Sequence, residues 1–204
     1  EKINSAIERR QITLDKVSQY ALDAVLATED EYFNEHTGIV PKAIFRGVFQ
    51  DVTNSASQTG GSTLTQQLVK NQILTNEVSY ERKAKEILLA MRLEHFMTKD
   101  EILEAYLNII PYGRDVLGQN IAGIETAARG IFGIKASELN LPQAAYIAGI
   151  PQAPFSYTPF YSKNQGMKEP EKLQPGINRM KTVLFRMRDT GYITEAEYQE
   201  ALAY

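Results

Sequence analysis

Hydrophobic and polar positions alternate with a period of three to four residues over most of this chain, which predicts a mainly α protein. Thr13 opens the first predicted helix. It sets Val17, Ala21, Ala24, Val25 and Thr28 on one side and runs out into Glu29-Asp30-Glu31. From Pro41 to Val52, the residues Ile44, Phe45, Val48, Phe49 and Val52 fill a stripe about 140° wide at about 100° per residue, with Lys42, Arg46 and Gln50 opposite. Thr53 to Gly61 is a polar, Gly-ended loop. Ser62 to Leu74 reads as a polar-faced helix. Glu81 to Met97 reads as a stronger one, with Ile87, Leu88, Ala90, Met91 and Leu93 turned inward. Thr98 and Glu101 form a capping box for a helix through Asn108, which Pro111-Tyr112-Gly113 breaks. A further helix is predicted from Asn120 to Phe132, stopped by Gly133. Asn140, Pro142 and Gln143 start another, which ends before Pro151. Pro151 to Pro175 reads as a long ordered loop or the start of a linker. Two short helices then follow, joined at Gly191, with a second capping box at Thr194 and Glu197. Windows rich in β-formers are nearly absent.

Composition removes several function classes. The 204 residues suit one domain, or one domain with a small lobe. A net charge of −3 argues against a dedicated nucleic-acid binder, which carries a basic excess. With 0 Cys there is neither a disulfide framework nor a thiolate metal site, and His36 and His95 are too few for a His-rich one. The longest apolar run, Ala144 to Ile150, falls well short of the roughly 18 residues of a membrane span. The chain begins with Glu1, as an excised fragment would, so a preceding membrane anchor stays open.

Three clusters hold the candidate chemistry. In Glu29 to Gly38, an apolar helix delivers its C-terminal end into adjacent carboxylates. This suits a general base or acid, though acid runs of this kind are more commonly solvated turns. In Gly60 to Asn71, a Gly-rich loop feeds a helix N-terminus, whose N–H groups and dipole attract anions. Ser62 and Thr63 add hydroxyls, Gln66 and Gln67 continue a polar face, and Lys70 supplies charge. An ordinary capped surface helix explains the same residues. No Gly-Lys-Ser or Gly-Lys-Thr follows the glycines, so this is not a Walker loop. In Arg82-Lys83-Ala84-Lys85-Glu86, the spacing fits either a solvated i,i+4 ion pair or a carboxylate beside cations that bind a phosphate-like leaving group. Together the clusters suggest a concave site for group transfer from a phosphorylated donor.

At these residues the chain resembles the peptidoglycan glycosyltransferase domain of class A penicillin-binding proteins and monofunctional peptidoglycan glycosyltransferases. Glu29-Asp30-x-x-Phe33-x-x-His36-x-Gly38 is similar to the family's first motif. Gly61-Ser62-Thr63-x-Thr65-Gln66-Gln67, with Lys70-Asn71, is similar to the second. Arg82-Lys83-x-x-Glu86 matches the third, and Lys99-x-Glu101-Ile102-Leu103-x-x-Tyr106-Leu107-Asn108 the fourth. Gly123-Ile124-Glu125-x-Ala127-Ala128 with Phe132-Gly133 is similar to the fifth. Five motifs in order cover about Ala21 to Pro151.

The resemblance implies a lysozyme-like helical lobe with a smaller membrane-facing jaw lobe that, with a mobile loop from Thr53 to Gly60, takes up about 39–60. It implies polymerisation of lipid II into β-1,4-linked glycan strands with inversion and release of undecaprenyl pyrophosphate. Glu29 takes the position of general base on the acceptor hydroxyl, and Glu86 that of the second carboxylate. Asp30 tunes Glu29 or helps hold a divalent ion, Mg or Mn. Lys70, Arg82 and Lys83 or Lys85 face the leaving pyrophosphate. Ser62, Thr63, Gln66, Gln67 and Asn71 line the donor cleft, and Phe33 and His36 shape the first motif or are buried structural residues. Implied partners are lipid II, the growing strand, the membrane surface and moenomycin-type inhibitors, with no nucleic acid. The implied place is the outer face of the bacterial cytoplasmic membrane, with an N-terminal membrane helix and a C-terminal transpeptidase domain in a longer protein. One departure stands out: Val78, preceded by Glu77, occupies a position where some members carry Arg. A lysozyme-like cleaving enzyme and a catalytically dead binding module are the rival readings. The first needs no pyrophosphate cations, and the second needs no intact glutamates.

Overall fold

The computed structural model describes residues 7–8, 11–46, 61–72 and 79–204, which are mainly helical. The chain divides into two compact units. One is discontinuous, Glu1–Thr28 with Leu107–Tyr204, and the other is Glu29–Tyr106.

In the discontinuous unit, a 3-10 turn at Leu14–Lys16 precedes helix α1, Gln19–Glu29. The helix therefore starts later than the periodicity predicts. Thr13 is the residue that precedes the 3-10 turn, and Ser18 Oγ accepts from Ala21 N–H at 3.2 Å where α1 begins. Ala21, Ala24, Val25, Ala27 and Thr28 form its buried face.

Sequence periodicity fails again at Asn120. Strand β1, Ile7–Glu8, runs parallel to β3, Asn120–Ala122, which lies antiparallel to β2, Pro111–Arg114. The order is β1-β3-β2, with Ile7 opposite Asn120 and Pro111 opposite Ala122. Ladder pairing takes the backbone groups that a helix would have used. Gly123, at φ 87°, then turns the chain into the one-turn helix α6, Ile124–Ala127, which continues as a π turn through Phe132 and ends at Gly133. Buried Glu125 braces this turn, accepting from Arg129 Nε at 2.7 Å and from Ala136 N–H at 3.0 Å.

Helix α7 spans Leu141–Gly149 and has the predicted Asn140–Gln143 capping box with Pro142 in its first turn. The Pro-rich stretch is more structured than expected. It holds the short helix α8, Pro154–Tyr157, and then the 20-residue helix α9, Pro170–Asp189, which passes through Pro175. One long helix thus replaces the first of the two predicted short ones. Helix α10, Glu195–Leu202, follows with its predicted capping box at Thr194. Helices α7 and α9 pack closely around Ile147, Ile150, Val183, Leu184 and Met187, all almost wholly buried. Arg186 Nη1 donates to the Thr28 carbonyl at 3.0 Å, satisfying one of the orphan acceptors in the last turn of α1.

The second unit begins at Glu29, the last residue of α1. It contains a helical segment over 41–46 (α2), helix α3, Leu64–Gln72, helix α4, Tyr80–Phe96, and most of α5, Lys99–Ile109. Ser79 caps α4, its Oγ accepting from Arg82 N–H, and the Thr98–Glu101 capping box starts α5. Residues 47–60 of the predicted jaw and loop, and 73–78 with Glu77 and Val78, lie outside the described residues.

The inward face of α4 differs from the expectation. Glu86 and Ala90 are its buried residues, while Leu88 and Met91 are exposed at 67% and 40%. Helix α4 packs on α3, whose facing residues include Thr65 and Gln66. Ala90 is inward as expected, but polar Glu86 shares that side, and Leu88 and Met91 are left on the exposed one.

Candidate active site

All of the sequence-predicted site residues lie in the Glu29–Tyr106 unit. Helix α1 ends at Glu29, and the turn that follows is fixed by Phe33 N–H donating to the Asp30 carbonyl. Helix α3 then organises both acidic positions through consecutive residues. Gln67 Nε2 donates to Glu29 Oε2 at 3.2 Å, and Gln66 Nε2 donates to Glu86 Oε1 at 3.4 Å. Neighbouring positions on a helix lie about 100° apart, so α3 addresses the two glutamates from adjacent faces. Tyr106 hydroxyl donates to Gln67 Oε1 at 3.4 Å and orients that amide.

Glu86 is buried at 7% exposure and carries its own cation. Lys83 Nζ donates to Glu86 Oε1 at 2.8 Å and to Ser62 Oγ at 2.9 Å. The solvated-pair reading of Arg82 to Glu86 therefore does not hold for Glu86 and Lys83. A buried carboxylate needs such a charged partner, because its desolvation is otherwise uncompensated. Arg82 is half-buried one turn earlier on α4.

Asp30 has a different environment. Its Oδ2 accepts from Leu64 N–H, the first residue of α3, at 3.0 Å and bonds His36 Nε2 at 2.6 Å. His36 Nδ1 accepts from Gly38 N–H at 3.0 Å, so Nε2 carries the proton toward Asp30. Phe33 meets the His36 ring edge-on at 5.9 Å. Asp30 thus serves the N-terminus of α3 as a charged cap, and Thr63 completes it. Thr63 Oγ1 accepts from Gln66 N–H at 3.1 Å and donates to the Gly38 carbonyl at 2.6 Å. Gly38, at φ 110°, lets this loop approach α4: a Cβ there would lie 2.7 Å from the Ala90 carbonyl oxygen. Asp30 is the residue expected to help hold a Mg or Mn ion. Its Oδ2 is engaged twice, and among the described residues no three His, Asp or Glu are grouped to hold a metal.

A buried layer that the motif roles left out supports these groups. Glu94 Oε1 accepts from Thr65 Oγ1 at 2.8 Å and from Lys99 Nζ at 2.7 Å. Lys99 also donates to the His36 carbonyl at 2.7 Å and sits 4.7 Å from the centroid of the Phe33 ring. The spacing of Lys83, Glu86, Ala90 and Glu94 by three and four residues was the available signal, since it marks one face of α4. Other predicted residues stand apart. Lys70 and Asn71 are exposed in the last turns of α3, where Asn71 Nδ2 donates back to the Gln67 carbonyl at 2.8 Å. Lys85 makes an exposed ion pair with Glu81 at 3.3 Å, of the kind expected on a solvated helix face.

Known proteins resemble this chain over most of its length. A family model described as Transglycosylase matches residues 1–188. Penicillin-binding protein 1A of Clostridium perfringens (strain 13 / Type A) is 42% identical over 201 residues, which cover 96% of this chain and 28% of that protein. Penicillin-binding protein 1A of Escherichia coli (strain K12) is 40% identical over 195 residues, covering 95% and 21% respectively. The crystal structure of Penicillin-Binding Protein 1A from Haemophilus influenzae superposes with a TM-score of 0.53 at 27% identity, covering 97% of this chain and 18% of that one. The chain therefore spans about a quarter of the length of the curated relatives it matches.

Proposed function

The chain belongs to the transglycosylase family, and from that footing we propose that it is a peptidoglycan glycosyltransferase that joins lipid II into β-1,4-linked glycan strands. The observation that carries this reading is the pair of glutamates addressed by Gln66 and Gln67, with the Lys83 ammonium joining Glu86 to the Ser62 hydroxyl. Two carboxylates with a fixed cation beside one of them suit a reaction with a base at one end and an anionic leaving group at the other.

In the proposed reaction, Glu29 takes the proton of the acceptor GlcNAc 4-hydroxyl as its oxygen bonds to C1 of the donor MurNAc. The C1–O bond to undecaprenyl pyrophosphate breaks, and its electron pair leaves with the pyrophosphate. One displacement inverts C1 and requires no covalent carboxylate intermediate. Pyrophosphate is a fair leaving group, so fixed cations replace the protonated acid of a glycosidase. Lys83 and Arg82 supply them, together with Lys70 at the exposed end of α3. Cations at the donor side also favour synthesis over a lysozyme-like cleaving enzyme.

The proposed setting is the outer face of the cytoplasmic membrane. Phe45 is 78% exposed beside exposed Lys42 and Arg46, which supports interfacial contact of the 41–46 helix. Exposed Leu88 and Met91 of the same unit add apolar surface. Among the described residues no helix is long and apolar enough to cross a membrane, so tethering falls to a further segment of a longer protein. A transpeptidase domain and moenomycin sensitivity belong to the same proposal.

The test is polymerisation of labelled lipid II in detergent, with and without moenomycin, by the parent chain and Glu29→Gln. Moenomycin-sensitive polymer that is lost in the variant supports the reading. Unchanged polymer from a folded Glu29→Gln sample removes Glu29 as base.

A further inference from the structure

The discontinuous unit carries a second group of cations that the transferase chemistry does not use. Arg114 closes strand β2, and its backbone is clamped: its N–H donates to Thr158 Oγ1 at 3.0 Å, and that hydroxyl donates to the Arg114 carbonyl at 3.1 Å. The approach is close because residue 113 is glycine at φ 80°, where a Cβ would come within 2.5 Å of Thr158 Cβ. The Arg114 guanidinium lies 4.6 Å from the centroid of the Phe155 ring.

Lys168 sits beside it. Its N–H is fixed to the Pro159 carbonyl at 2.8 Å, and the residue is only 9% exposed. Nζ donates to the Phe155 carbonyl at 2.9 Å and to the Ser156 carbonyl at 3.4 Å. Burial first, then Arg114 and then Lys172, hold this ammonium below its ordinary proton affinity. Lys172 is balanced by Glu169, whose carboxylate also takes the Tyr161 hydroxyl. Among the described residues, neither Arg114 nor Lys168 is in an ion pair with a carboxylate. Both cations thus meet around Phe155, Arg114 at its ring and Lys168 at its carbonyl, with Lys172 as a further positive charge. Phe155, which contacts both, is exposed at 53%.

We propose that Arg114 and Lys168 form a binding notch for an oxyanion, phosphate or carboxylate, borne by an amphiphilic molecule whose apolar part rests on Phe155. The donor count fits this assignment. An ammonium has three N–H groups, and two of Lys168's are spent on carbonyls, leaving one for the ligand. A guanidinium carries five N–H donors in a planar fork, from which a carboxylate or phosphate accepts two at once. An anion also relieves the repulsion between the two cations. The notch stands whether or not the transferase reading holds, because its residues and its readout are separate from the glutamates.

Lysine-specific NMR of the 204-residue chain tests it, with the Lys168 side-chain signal assigned through Lys168→Arg. Sodium phosphate and sodium acetate are titrated separately, with ionic strength held constant by sodium chloride. The expected result is a saturable shift of the Lys168 signal with at least one anion, weakened at least tenfold in Arg114→Gln and retained in part in Arg114→Lys. Preference for phosphate supports a lipid headgroup as the source, and preference for acetate supports a carboxylate of the peptide or glycan. No saturable shift with either anion overturns the notch, as does a response that folded Arg114→Gln leaves unchanged. Lys83→Met keeps the response if the ion sits at Lys168. Loss of the response there moves the ion to the candidate active site and also overturns the proposal.

Discussion

Asp30 follows Glu29 directly, yet the two carboxylates have different surroundings. Glu29 receives the flexible amide of Gln67, whereas Asp30 receives a backbone N–H at the start of α3 and the His36 ring. Asp30→Ala therefore removes a charged cap and leaves a buried imidazole N–H unpaired. A stability loss of about 2–3 kcal/mol is expected, read as a lower urea midpoint with an unchanged slope. Lys83→Met should act on rate as well as on stability. It leaves Glu86 without its cation and the donor side without a fixed charge, so polymer formation should fall by about two orders of magnitude or more. A Lys83→Met enzyme that polymerises lipid II at near-parent rate would remove Lys83 from the donor side. The sequence made the identities of these residues legible through motif order. It did not separate Asp30 from Glu29, because adjacency in a chain says nothing about which backbone donors a later helix brings back.

Among the elements, the helix starts were the most legible features. Asn140, Thr98 and Thr194 each make the capping bonds that local spacing predicts, since such bonds close within four residues. Helix faces were less legible where polar side chains pair across an interface. Helix α4 buries Glu86 against Gln66 and exposes Leu88, so a count of apolar positions chooses the wrong side. Asn120 was misread for a related reason, as one of its two pairing partners, Ile7, lies far away in sequence. The α7–α9 contact gives an element-scale prediction. Gly176 lies within α9, where Ala is usually preferred by about 1 kcal/mol. Here a Cβ would meet the Tyr157 carbonyl oxygen at 2.7 Å and Tyr146 hydroxyl at 3.0 Å. Gly176→Ala should therefore destabilise the protein by about 1–3 kcal/mol, as overpacking does, and lower the thermal midpoint. A raised midpoint would mean that propensity outweighs the contact.

At the scale of the molecule, one unit is assembled from two distant stretches of chain. Asn108 stitches them reciprocally: its Nδ2 donates to the Ile12 carbonyl and its Oδ1 accepts from Ile12 N–H, both at 2.9 Å. Ser18 N–H adds a bond to the Ala136 carbonyl at 3.0 Å. Such closure is not visible in periodicity, which reports faces and not their partners, so the sequence reads as one domain with a lobe rather than as an interrupted unit. The same unit contains a sensor of its own integrity. Tyr146 hydroxyl donates to the Tyr157 carbonyl at 3.0 Å, and burial pushes its pKa up to about 12. An unfolded chain releases that proton near pH 10, so between about pH 10 and 12 the unfolded state binds fewer protons than the folded one. Stability must then fall as pH rises through this window, by roughly 1–2 kcal/mol from this group after allowing for its partial exposure. Tyr192, also raised by burial, acts in the same direction. Tyr146→Phe should cost about 1 kcal/mol at neutral pH for the lost hydrogen bond and make the alkaline fall shallower. Urea unfolding of both proteins at pH 7, 10 and 11.5 reads the two effects separately, and parallel stability curves would place the alkaline titration elsewhere in the fold.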